Sequence, residues 1–162
     1  MIGFISYLVN GISLGSVYAL IALGYTMVYG IAKMLNFAHG DVIMIGAYVA
    51  FTAVSGMGMP PVVGVLLSVV ACTVLGVLIE RIAYKPLRKA SKLAVLITAI
   101  GVSYFLQNVA LLIYGANTKS FTSVVTIPAL KLMDGKLVIS GETIVTVVAC
   151  LIIMAGLVTF MK

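Results

Sequence analysis

The feature that most limits the fold is an uncharged, largely apolar stretch from Ile2 to Ala32. A signal-peptide core has about 7 to 15 apolar residues and follows basic residues, so this stretch does not fit that class. At about 1.5 Å per residue, a helix of this length would extend roughly 46 Å, more than the roughly 30 Å hydrocarbon core of a bilayer. We therefore predict a first membrane helix that tilts, bends or partly leaves that core.

The composition extends this prediction to the whole chain. Apolar residues make up 63% and charged residues 9% of the sequence, and the mean hydropathy is +1.27, which excludes a water-soluble globule. Continuous apolar runs favour α-helices over the alternating strands of a β-barrel. We predict an all-α integral membrane protein with about five transmembrane helices. After the first, the apolar stretches run from about Val42 to Met57, Val62 to Ile79, Leu93 to Tyr114 and Thr143 to Met161. The second is the shortest, and a tilted or partly re-entrant element is the alternative there.

The basic residues predict the orientation of the helices. The loop from Glu80 to Lys92 has five Lys or Arg against one acid, so the positive-inside rule places this loop after helix 3 in the cytoplasm. The N-terminus is then outside. Residues 115–142 form the external loop, in which Asp134-Gly135 is typical of a hairpin turn. Two interpretations of this loop remain open: a small lid over the helix ends, or a docking surface for an external solute-binding protein.

Several functional classes have little support in the sequence. The net charge of +6 comes from basic residues beside apolar spans, without the interleaved aromatics of a nucleic-acid groove, so we expect no nucleic-acid partner. Cys72 and Cys150 lie within apolar spans and do not define a disulfide framework. No phosphate-binding loop motif and no catalytic constellation is present, so we predict a protein that is not an enzyme and has no catalytic residues.

The segment Lys33–Asp41, here called the polar connection, concentrates polar side chains between the first two apolar stretches. Polar groups are costly to desolvate in a membrane, and transporter sites often use the exposed ends of interrupted helices. Structural roles are the alternative: a cap for the following turn, a hydrogen-bonding anchor, close backbone approach, or a carboxylate at a helix N-terminus. We predict no metal site. The candidate translocation residues are Asn36, Phe37, His39, Gly40 and Asp41.

Small residues recur every four positions in the first stretch, at Gly11, Gly15 and Ala19. Such a seam allows close helix approach. We expect it to pack within the chain, and a seam against a second subunit is the alternative.

The polar connection and its surroundings, from Gly24 to Tyr48, resemble the signature of branched-chain amino-acid ABC transporter permeases, and the Asn-Phe-Ala-His-Gly core at residues 36–40 is the specific part. The resemblance implies the membrane half of an importer in the bacterial cytoplasmic (inner) membrane. It implies a second related permease, two ATP-binding subunits, an external solute-binding protein and surrounding membrane lipid. Cofactors are then absent from this chain, and ATP binds to the partner subunits. The implied substrates are leucine, isoleucine and valine, or related amino acids and amides.

The resemblance also implies a longer chain, because residues 1–162 correspond to roughly half of a family member and lack the segment that takes the ATPase stroke. We therefore expect a single transmembrane permease domain that is truncated, split or partial. Two alternatives remain open. A secondary transporter or channel would couple flux to a proton carried by Asp41 or His39. A non-transporting assembly fragment of a longer permease would bind partners without flux.

Overall fold

The computed structural model describes residues 2–120, 130–132 and 137–160. Five α-helices lie in these ranges, and they follow the predicted apolar stretches closely. Their bounds are α1 Ile2–Ala32, α2 His39–Phe51, α3 Pro61–Ile79, α4 Lys92–Tyr114 and α5 Gly141–Phe160. The predicted all-α membrane fold with about five helices is confirmed, whereas the orientation of the helices across the membrane stays a prediction.

Not every helix is long enough to cross a bilayer. Within the described residues, four helical stretches have the necessary length and apolar composition: residues 3–30, 61–87, 92–114 and 141–159. The exception is α2, whose 13 residues extend only about 20 Å against a hydrocarbon core of roughly 30 Å. A five-residue π-helical turn, Thr52–Gly56, lengthens it. The second apolar stretch is therefore the one that differs from a regular membrane span.

The helix formed by α3 continues further than the sequence predicted. Residues expected to begin the basic loop form a π-helical turn, Glu80–Tyr84, and a 3-10 turn, Lys85–Leu87. Tyr84 is buried in the core and Ala83 packs against it, which favours a continued helical path, whereas Ile82 is exposed. Pro86 has no N–H to donate to the preceding turn, so the regular α-helical ladder cannot pass through it. The basic loop is thus shorter than predicted and begins after Leu87.

Two short strands lie where the hairpin signal was found. Strand β1, Leu130–Leu132, pairs antiparallel with strand β2, Leu137–Ile139. In this register Leu130 is opposite Ile139. The Asp134-Gly135 pair lies outside the described residues, and the external location of the loop stays a prediction.

The chain divides into two compact units, residues 1–27 with 123–162 and residues 28–122. In the first unit, Ser140 caps α5, because its Oγ accepts a hydrogen bond from the Thr143 N–H at 3.4 Å. In the second unit, α2 packs against α3 and α4. The buried core of this unit is formed by Ala38, Ile79, Tyr84, Ala99 and Leu106.

Two glycines let α2 and its π-helical turn approach α3 closely. A Cβ built at Gly46 would lie 2.5 Å from Sγ of Cys72 and 2.9 Å from Oγ of Ser68. A Cβ built at Gly64 would lie 2.6 Å from Cγ2 of Val54. Real Cβ atoms essentially never approach other atoms this closely, so a larger residue would force these side chains or the helices to shift. These two contacts hold α2 against α3, and the first residues of α2 are the last residues of the polar connection.

Candidate functional site

The polar connection begins directly after α1, with a residue in the left-handed backbone conformation. Lys33 has a φ of 54°, which places a non-glycine residue in the left-handed region. Its N–H still donates to the Tyr29 carbonyl oxygen at 2.8 Å, so it closes the last turn of α1. The regular helix therefore ends at Ala32, just before the polar connection begins.

Asn36 organises the turn that leads into α2. Its side-chain Oδ1 accepts a hydrogen bond from the Ala38 N–H at 3.1 Å, and its carbonyl oxygen accepts one from the His39 N–H at 3.2 Å. The Tyr84 hydroxyl donates a second hydrogen bond to Oδ1 at 2.7 Å. Tyr84 lies in the π-helical turn after α3. The turn at Asn36 is therefore anchored from a second membrane element.

Asp41 lies in the first turn of α2, where the helix dipole favours a negative charge. The residue is 8% exposed, and Nε2 of Gln107 on α4 donates a hydrogen bond to its Oδ1 at 3.0 Å. The same Nε2 lies 3.2 Å from Oγ of Ser103, one turn earlier on α4. A buried carboxylate is thus linked to α4 by a neutral amide donor.

An open cavity of about 810 Å³ borders the polar connection. Asn36 and His39 contribute polar groups from one side, and Glu80 and Arg88 contribute an ion pair from the other. The remaining walls are largely aliphatic. The lining residues are Val28, Met34, Asn36, His39, Val42, Gly76, Ile79, Glu80, Tyr84 and Arg88. Aliphatic walls with a few convergent polar groups suit a small amphiphilic molecule.

The five candidate residues of the polar connection do not share one environment. Asn36 and His39 line the cavity, whereas Asp41 is buried against α4. Phe37 is 47% exposed, and a Cβ built at Gly40 meets no described atom within 4 Å. The structure therefore brings two of the five residues to the cavity, and their role in translocation stays a prediction.

The predicted small-residue seam of α1 lies in the other compact unit. A Cβ built at Gly11 or Gly15 meets no described atom within 4 Å. Ala19 is half-buried. The packing partner of this seam stays a prediction. Among the described residues, no three His, Cys, Asp or Glu side chains are grouped so that they could hold a metal ion.

Sequence reasoning missed the two side chains that hold the polar connection in place, Tyr84 and Gln107. Tyr84 was included in the basic loop, although the apolar residues Ile82 and Ala83 before it could have indicated that the helix continues. Gln107 is an amide in the middle of an apolar helix, and an amide there needs a hydrogen-bonding partner. That cost could have singled out Gln107, but its pairing with Asp41 depends on the packing of α2 on α4.

Comparisons with known proteins agree on one family. The chain matches the family described as branched-chain amino acid transport system / permease component over residues 7–162. The high-affinity branched-chain amino acid transport system permease protein BraD of Pseudomonas aeruginosa is 42% identical over 170 aligned positions, covering 98% of this chain and 55% of that protein. The LivH proteins of Salmonella typhimurium and Escherichia coli, which carry the same description, are 44% identical over 128 positions, covering 74% of this chain and 42% of theirs.

No solved structure gives a significant match to the chain. The chain spans about half the length of the curated relatives that it matches. Because the family match covers nearly all of its residues, the chain belongs to the branched-chain amino acid transport system permease family.

Proposed function

We propose that this chain is part of a membrane-spanning permease subunit of an ABC importer that translocates leucine, isoleucine, valine or related small amino acids. The observation that carries the proposal is the 42% identity to BraD across 98% of the chain. The four apolar helices and the bacterial relatives support a multi-pass location in the bacterial cytoplasmic membrane.

The cavity beside the polar connection supports the same substrate class. Val42 and Ile79 provide aliphatic contacts of the kind that a branched side chain needs. The Asn36 side chain and the Glu80–Arg88 ion pair provide hydrogen-bonding and charged groups for the two ends of a zwitterion. We infer that translocated amino acids pass along this cavity and contact Asn36 and His39.

The energy source in this proposal lies on other chains. The sequence has no Gly-x-x-x-x-Gly-Lys-Ser/Thr motif, so ATP is bound and hydrolysed by partner subunits, and this chain itself is not an enzyme. A complete importer then contains two ATP-binding subunits, a second related permease and an external solute-binding protein. Neither a cofactor nor a nucleic acid on this chain enters the mechanism.

Uptake of labelled leucine tests the proposal, in cells that lack their own branched-chain importer and express the full permease with its partners. Asn36→Ala and His39→Ala are expected to lower uptake about ten-fold, equivalent to about 1.4 kcal/mol, with unchanged protein in the membrane. Asn108→Ala is the matched control, because the Asn108 amide donates to the Tyr104 carbonyl oxygen on its own helix and does not line the cavity. Its uptake should equal that of the parent protein.

The same cells separate the importer from the alternatives. Deletion of the ATP-binding subunits should abolish uptake by an importer. Uptake that persists in their absence and follows the proton gradient would establish a secondary transporter or channel. Assembly with partners but no leucine uptake would establish a non-transporting module, and equal uptake by all three variants would remove the cavity from the translocation path.

A further inference from the structure

A second cavity, here called the basic cavity, borders the first residues of the polar connection, and Tyr84 and Arg88 line both cavities. It has a volume of about 520 Å³ and shares Met34, Tyr84 and Arg88 with the first cavity. Its lining includes three cationic side chains, Lys33, Arg88 and Lys92, and no acidic residue. These cations come from the end of α1, the turn after α3 and the start of α4, so the fold brings them together from three separate parts of the sequence.

The positive charge of the basic cavity is only partly neutralised. Arg88 forms an ion pair with Glu80, which lines the first cavity. Within residues 2–120, 130–132 and 137–160, neither Lys33 nor Lys92 has a carboxylate within ion-pairing distance. Lys92 also occupies the first turn of α4, where the helix dipole adds positive potential. The basic cavity therefore offers two uncompensated ammonium groups to an anion.

The other walls of the basic cavity are apolar and suggest what kind of anion it accepts. Leu35, Leu93 and Leu96 line it. The cavity lies between the apolar helical stretch of residues 61–87 and that of residues 92–114, both long enough to span a bilayer, so we infer that it lies at one edge of the bilayer. A free phosphate ion gains nothing from leucine walls, whereas a phospholipid presents a phosphate and aliphatic chains side by side at this depth.

We propose that the basic cavity binds the phosphate headgroup of an anionic phospholipid. Lys33 and Lys92 contact the phosphate, and the leucines contact the first carbons of an acyl chain. This site differs from the general attraction of a basic loop to a membrane, because only some lysines line the cavity. Lys85 and Lys89 belong to the same basic segment but lie outside the lining. The inference does not depend on which substrate the permease transports.

The test uses the permease purified from its native membrane with its partners and placed in nanodiscs of equal parts phosphatidylcholine and phosphatidylglycerol. Mass spectrometry then counts the phosphatidylglycerol retained by the complex. A lysine that contacts the lipid phosphate directly is expected to contribute about five-fold in affinity, so Lys33→Gln and Lys92→Gln should each lower retention about five-fold, and the double variant roughly twenty-five-fold. Lys85→Gln and Lys89→Gln are the matched controls and should retain the lipid.

Further variants separate lipid binding from folding and from other ligands. Lys92→Arg keeps the charge and should keep the lipid, and all variants should show the same unfolding temperature in lipid-free detergent. Equal loss in Lys89→Gln and Lys92→Gln would overturn the proposal in favour of diffuse surface charge. Inorganic phosphate that displaces the lipid at equal concentration would overturn it in favour of a free-phosphate site. Loss of the ATP-binding subunits from Lys33→Gln and Lys92→Gln, with phosphatidylglycerol retained, would make this a protein-docking surface instead.

Discussion

The body of α2 and the polar connection that leads into it are held in different ways. The body depends on volume, because the site of a Cβ at Gly46 is already within 2.5 Å of Sγ of Cys72. In the polar connection Ala38 is buried in the core, and the turn at Asn36 depends on single hydrogen bonds, such as the one from the Tyr84 hydroxyl at 2.7 Å. A close-packed contact has no alternative arrangement at low cost, whereas hydrogen bonds of about 1 kcal/mol each can be exchanged one at a time. We therefore expect a substitution to cost more in the body of α2 than at a single hydrogen bond of the polar connection.

The largest expected effect is in the body of α2. Gly46→Ala should lower the free energy of unfolding by about 3 kcal/mol, because the new methyl group forces Cys72 aside. It also disrupts the hydrogen bond that Ser68 Oγ donates to the Gly46 carbonyl oxygen at 2.8 Å. Denaturant unfolding in detergent measures the change. If Gly46→Ala lowers the free energy of unfolding by less than Gln107→Leu or Tyr84→Phe does, close packing is not what mainly holds the body of α2.

Two variants sharpen the interpretation of Gly46→Ala. Adding Cys72→Ala should recover part of the lost stability, because it removes the sulfur atom from the site of the collision. Gly11→Ala is the matched control in α1, where a Cβ meets no described atom within 4 Å, and it should not destabilise the purified chain. If Gly11→Ala weakens only the assembled complex, the predicted seam at Gly11 and Gly15 packs against a second permease subunit.

The next largest effect is expected at the junction of the two regions. Gln107→Leu should cost about 2 kcal/mol of unfolding free energy, because it leaves the buried carboxylate of Asp41 without its amide donor. Asp41→Asn in the same background should recover part of this loss by removing the buried charge. Asn108→Leu is the control, because the Asn108 amide donates to the Tyr104 carbonyl oxygen within α4, and its cost should be smaller. Equal costs for the two α4 variants would show that the Asp41 contact contributes nothing.

A smaller effect is expected within the polar connection itself. Tyr84→Phe removes the hydroxyl that donates to Asn36 and should cost about 1 kcal/mol. Amide hydrogen exchange at Ala38 should accelerate, because the turn at Asn36 loses its anchor on the extension of α3. Tyr104→Phe, at a side chain that is 64% exposed, is the control and should change neither quantity. Unchanged exchange in Tyr84→Phe would mean that the local Asn36 turn is sufficient by itself.

The sequence was informative about whatever depends on long apolar runs. The first stretch was predicted as Ile2–Ala32 and α1 has those bounds, because it is largely apolar and contains no proline that would end a helix earlier. The end of α3 was predicted at Ile79, and the helical path continues to Leu87. The charged residues after Ile79 had suggested a loop. Long charged side chains reach water from a helix, so charge alone does not end one.

The candidate site was less predictable than the helices, for a physical reason. Asn36, His39 and Asp41 are adjacent in the sequence, and their polarity alone singled them out. Their partners, Tyr84 and Gln107, lie on other helices, and their distances depend on how α2 packs against α3 and α4. The spacing of small residues gave similarly incomplete information, because it indicates where another helix can approach but not which helix packs there. Gly46 packs tightly, whereas Gly11 meets no described atom.

The smallest expected effect has the opposite sign and lies at the first residue of the polar connection. Lys33→Gly should raise the unfolding free energy by about 0.5 kcal/mol, because glycine adopts the left-handed conformation at φ 54° without the steric cost of a side chain. Unfolding in zwitterionic detergent without lipid measures this change apart from anionic-lipid binding at Lys33. Lys119→Gly, outside the helices, should instead lower stability slightly. If Lys33→Gly lowers the stability instead, the Lys33 side chain stabilises the polar connection by more than the steric cost of its left-handed backbone. Side-chain contacts, and not hydrogen bonds, would then contribute most to holding this region.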